Sequence, residues 1–236
     1  MLSITSPQTR PMPYALIQKT LDRPPVEALQ RAFSSGRGLT PADARFVADD
    51  AFGLLARNLD LDDALFLQGS LGQEGVEVEV APESELPRVP EPTLFTVLHG
   101  TDDKLVVFDA VGRACEAPWS EVSVICAGYD QREFKLEIFV HGTEQRFLAS
   151  LDRLMFDQMP EFTNPSEPDN LGEKYRNLVK CVVGHCPNAR VNRAAAVLGT
   201  DGLGGDITEA ISYPRPTAYA EEQTWLLWRA THPFGG

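Results

Sequence analysis

Residues 38–80 most constrain what this chain can become. Two helical patterns, a short extended run and an alternating Val-Glu-Val-Glu-Val end follow one another with almost no slack between them. Connections this short leave few ways to arrange the elements. Thr40 reads as an N-cap, with Pro41 at the first helical position and Asp43 at the third. Ala44, Val47, Ala48 and Ala51 then share an apolar face. Residues 54–57 read as a short strand. Asp60 caps the next helix and sets Asp62 and Asp63 in its first turn, where the helix dipole favours carboxylates. Ala64, Leu67 and Leu71 face inward together, and Gly75 stops the helix. From residue 76 to 80, three valines fall on one face and Glu77 and Glu79 on the other.

The preceding residues complete the unit. Residues 1–13, with Pro7, Pro11 and Pro13, form an extended lead-in. Residues 14–20 read as a strand, and Val26, Leu29, Ala32 and Phe33 recur at helical spacing after Pro24-Pro25. Gly36 and Gly38 end that helix. The order is strand, helix, helix, strand, helix, strand. The expectation for residues 14–81 is an α+β domain, a small three-stranded sheet with helices on one face.

This stretch resembles the carboxy-terminal domain of the bacterial ribosomal stalk protein, and more loosely the adaptors that deliver substrates to the Clp protease. The matching residues are Gly38-Leu39 at a helix start, Asp62-Asp63-Ala64 at the next, and Gly75 with Glu77-Val78-Glu79-Val80 at the close. The resemblance implies a fold that works by binding other proteins. The stalk domain presents lysines to translation factors. Here Ala42, Arg45 and Leu61 stand at those positions, so Arg45 alone keeps its positive charge. Rim charges steer encounter and select partners, so the same partners are not expected. The Asn-Asp-Asp loop of the protease adaptors is absent, and recognition of N-terminal residues is not expected.

Residues 82–93 hold Pro82, Pro87, Pro90 and Pro92 among acids and read as a semi-rigid linker. Beyond it, short strands recur at 94–99, 105–108, 114–117, 122–127, 134–140 and 145–149, separated by turn residues. A helix over 172–183 and a helical piece over 189–198 follow. Antiparallel strands followed by a helix, with Ala117-Pro118-Trp119 leading into Val122, resemble a bacterial pleckstrin-homology-like domain over 94–199. The resemblance implies a mostly antiparallel barrel plugged by the helix. Headgroup binders in that superfamily carry basic residues around the first hairpin. This chain has Asp102-Asp103-Lys104 there, so phosphoinositide binding is not expected.

Residues 200–236 begin as a Gly- and Pro-rich tail and end in an apolar segment around Trp225, Leu226, Leu227 and Trp228. That segment either docks within the chain as a strand or short helix, or anchors a partner.

Charge narrows the classes of function. The formal net charge of −13 disfavours a phosphate backbone or an anionic membrane surface as partner. No apolar run approaches the roughly 20 residues that span a bilayer, and residues 1–13 lack a signal-peptide core. The expectation is a soluble, cytoplasmic protein with its four cysteines reduced.

Cys181, His185 and Cys186 are the one tight cluster of ligand-type residues. Half of a four-ligand zinc set is missing, and the spacing is not Cys-x-x-Cys. Paired acids at Asp49-Asp50 and Asp62-Asp63 read as solvated helix ends, and Gly202-Leu203-Gly204-Gly205 as a turn. His99, His141 and His232 are scattered. The reading is a non-catalytic, two-domain interaction or adaptor protein without a cofactor. Its partner-binding candidates are Arg45, Trp225 and Trp228, its partner a protein, and a homodimer is an option. The alternative is a metal or redox protein using Cys181, His185 and Cys186.

Overall fold

Burial of one stripe per helix accounts for the first helices, while Ala15, Leu16, Ile17 and Gln18 are buried on both faces of their strand. A computed structural model describes residues 12–34, 39–141, 145–163, 166, 169–200 and 211–233. Readings made for residues 1–11, for Gly36 and Gly38, for 142–144 and for 201–210 with its glycine turn lie outside the described residues. The chain divides into two compact units, Met1–Pro87 and Arg88–Gly236. The division falls inside the proline-rich stretch, which carries a 3-10 turn at Glu83–Glu85 and a strand at Pro92–Leu94 rather than being wholly extended.

In the first unit, β1 (Tyr14–Gln18) lies between β2 (Leu54–Leu59) and β3 (Val78–Pro82), and both pairings are antiparallel. The three runs expected to share a sheet do so. Helices α1 (Val26–Phe33), α2 (Ala44–Asp49) and α3 (Leu61–Gln73) supply the other layer. Leu29, Phe33, Ala48, Leu67 and Leu71 meet Leu16 and Val78 in one core. Each buried leucine or phenylalanine stabilises by about 1.5–3 kcal/mol. Asp60 caps α3 by accepting a 2.8 Å hydrogen bond from the Asp63 N–H. Gly75 ends the turn after it with φ +78°, a left-handed angle that side chains resist.

Three local expectations are corrected. Thr40 is not the cap of α2. Instead the Asp43 carboxylate accepts from the Thr40 N–H at 2.8 Å and from its hydroxyl at 2.7 Å, and the helix begins one residue later at Ala44. Those bonds hold the Asp43 carboxyl below its ordinary value. β1 stops at Gln18, whose side chain turns to bond the Asp22 carbonyl and the Gly53 N–H. β2 runs on to Leu59, past the expected end at 57.

The second unit is built on two sheets. One is antiparallel, β5 (Val97–Gly100), β6 (Lys104–Phe108) and β7 (Ala114–Pro118) in that order. The other has the order β11-β8-β9-β10-β4. It is antiparallel through β8 (Val122–Tyr129), β9 (Phe134–Val140) and β10 (Gln145–Ser150). At its edges β4 (Pro92–Leu94) and β11 (Arg190–Val191) pair in parallel. The strands do not close into a barrel among the described residues. Leu98, Leu105, Ile125, Ile138 and Phe147 of the two sheets share a core with Leu178 and Val182 of α4 (Leu171–His185). The helical piece expected from residue 189 is β11 followed by α5 (Arg193–Gly199), with Asn192 as the cap.

The last described element is α6 (Pro216–Thr231), a 16-residue helix where a strand or short helix was expected. Pro216 starts it because a first-turn N–H has no partner to lose. A buried polar chain holds it. Asn192 donates at 2.7 Å to the Tyr213 hydroxyl, which donates to the Glu222 carboxylate. Glu222 also accepts the Arg193 N–H at 2.9 Å. Asn192 closes the chain by exchanging bonds with the N–H and C=O of Ala127 on β8, at 3.0 and 2.8 Å.

Candidate functional site

The cysteine–histidine cluster is where chemistry was conceivable, and helix α4 sets its geometry. Cys181 and His185 stand one turn apart, which brings Cys181 Sγ to 3.6 Å from His185 Nδ1. The same Nδ1 lies 2.8 Å from the Cys181 carbonyl. A carbonyl only accepts, so Nδ1 carries the hydrogen and donates it there. A nitrogen so occupied cannot take a proton from the thiol. The ring's face is occupied as well, since His185 stacks on Trp119 at 4.8 Å between centroids. Trp119 is fixed in turn by donating to the Thr101 carbonyl at 2.8 Å.

The thiols are not activated. Burial pushes the Cys181 thiol up, and the charge of Glu161 adds to that. Burial and the neighbouring Cys181 push Cys186 up to about 12. A thiol held neutral is a poor nucleophile. Among the described residues, no group of three or more His, Cys, Asp or Glu side chains is gathered so as to hold a metal ion. Cys115 and Cys126 do not complete a set with the cluster. His99 pairs instead with Glu161 at 3.1 Å on the surface.

The two nominated tryptophans lie inside. Trp225 and Trp228 on α6 are 8% and 5% exposed. Both indoles are therefore largely buried in this structure. Arg45 is different. It stands on α2 with its side chain 83% exposed, and its nearest acid is Asp49 one turn on, at 4.0 Å. Asp49 is already paired with Arg23.

Beside Arg45 stands a residue that the sequence reading passed over. Phe46 is 72% exposed. The inward positions of α2 are Ala44 and Ala48, and a residue two places from each must point outward. That signal was present in the helical spacing. An exposed aromatic ring next to an exposed guanidinium joins two residue types that protein contacts favour. The acids of Asp62 and Asp63 remain in the first turn of α3, as expected for solvated carboxylates at a positive helix end.

No protein-family model, no curated protein and no solved structure matches the chain. No described helix is long and apolar enough to cross a membrane.

Proposed function

We propose that this protein is a non-catalytic interaction protein whose first unit docks a protein partner through α2, with Phe46 as apolar anchor and Arg45 as its charged neighbour. The observation that carries the reading is the 72% exposure of Phe46 on a helix whose other face is core. Covering such a ring gains about 2 kcal/mol, and the fold itself gains nothing from leaving it in water. The resemblance of residues 38–80 to the stalk-protein domain supports the same surface, because Arg45 keeps one of that domain's partner-facing charges. For the second unit, the pleckstrin-homology-like reading rests on the run of antiparallel strands, the Pro118-Trp119 turn and the helix α4 that follows. A cytoplasmic setting belongs to the same reading.

The test is quantitative capture from the source cell with the tagged wild type and a Phe46→Ala/Arg45→Glu variant in parallel. The reading expects one protein recovered near equimolar with the wild type and depleted at least about tenfold with the variant. Identical recovery by both baits sinks it.

A further inference from the structure

Helix α3 carries a second uncovered apolar face. Ala64, Leu67 and Leu71 point into the core of the first unit. At about 100° per residue, Asp62 and Gly69 point most directly away from that core, Leu61, Gly72 and Leu65 fall in one arc on one flank of them, and Phe66 lies on the other. Leu61, Leu65 and Phe66 are 42%, 50% and 43% exposed. A Cβ placed on Gly69 or Gly72 meets nothing within 4 Å. Packing inside the chain therefore does not require either glycine, although each weakens a helix relative to alanine. Beside two leucines they leave room for another backbone to come close.

Charge selects the occupant. The 13 residues of α3 include no lysine or arginine, while Asp62 and Asp63 stand in its first turn and Asp60 caps it. A second copy carries the same net charge of −13 and is repelled by it. A cationic partner is attracted by the same charges. The geometry points to α3 as a docking face for a basic amphipathic helix. The apolar residues of that helix cover Leu61, Leu65 and Gly69, and its lysines or arginines meet Asp62 at the edge of that arc. The face lies on a different helix from Phe46 and does not depend on the function proposed for α2.

The probe is a synthetic helix of about 18 residues, leucine on one face and lysine on the other, titrated into the full-length protein by calorimetry. Its leucine–glutamate counterpart is titrated alongside. The lysine peptide binds and the glutamate peptide does not, and binding weakens as salt is raised. Leu65→Ser and Asp62→Lys, both at exposed positions, each lower affinity about tenfold, while Phe46→Ala leaves it unchanged. Equal binding of the two peptides, or wild-type affinity in Leu65→Ser, overturns the assignment. So does a dimer, seen by light scattering, that Leu65→Ser returns to monomer.

Discussion

A single carboxylate shows how burial sets the chemistry of individual groups in this molecule. Glu222 is buried on α6, and burial lifts its carboxyl above the ordinary glutamate value, against the opposing bonds from Tyr213 and the Arg193 N–H. The native state therefore holds that proton more tightly than the unfolded chain. Such a group stabilises the fold below its unfolded value, near about pH 4.3, and the contribution is lost as pH rises through the folded value. Glu222→Gln keeps an acceptor for the Arg193 N–H and removes the titration. Melting temperatures of the two proteins between about pH 4 and pH 8 read the difference. The variant's curve is flatter than the wild type's, and it melts no lower at the alkaline end. A variant that loses stability with rising pH in parallel with the wild type contradicts this role. The same physics disarms the cysteines. With burial pushing the Cys181 thiol up and His185 Nδ1 committed to a carbonyl, proximity along one helix turn produces no dyad.

Helices α3 and α6 make opposite demands on their residues. Trp225 on α6 is buried, so Trp225→Ala costs about 3–5 kcal/mol in denaturant unfolding, through lost contacts and the cavity left behind. A loss below about 1 kcal/mol contradicts the burial. Gly69 and Gly72 on α3 are surrounded by open space, so Gly69→Ala and Gly72→Ala each raise stability by up to about 1 kcal/mol in the same assay. Lower stability in either variant means the glycine serves packing after all. The elements differ in how well they could be read. In the first unit, Asp60 and the period of α3 acted locally, and that cap and helix stood where those residues put them, whereas the last strand, expected over 76–80, lies at Val78–Pro82. Thr40 misled because Asp43 offered a carboxylate three residues on, and the stronger acceptor took the bond. α6 was obscured by the prolines before it, since Pro214 reads as a breaker while Pro216 starts a helix. The pairing of β11 with β8, and the Asn192–Tyr213–Glu222 chain, join residues far apart in sequence, and no local pattern announces them. Phe46 was legible in the helical spacing, since Ala44 and Ala48 mark the inward face and the position between them points outward.

At the scale of the whole molecule, the described residues leave large apolar side chains exposed on α2 and α3. The described thiols at the cluster are held neutral, while Phe46 stands bare on α2 beside Arg45. A net charge of −13 keeps such a protein dispersed in spite of exposed apolar residues and tilts encounter toward positively charged partners. The central claim is that the α2 surface is occupied by a protein in the cell. Replacing Phe46 with a photo-crosslinking phenylalanine analogue and irradiating the living source cell tests this directly. One discrete crosslinked protein is expected, with no such adduct when the analogue is placed instead at Val111, an exposed position in the other unit. The absence of any discrete protein adduct at Phe46 contradicts it.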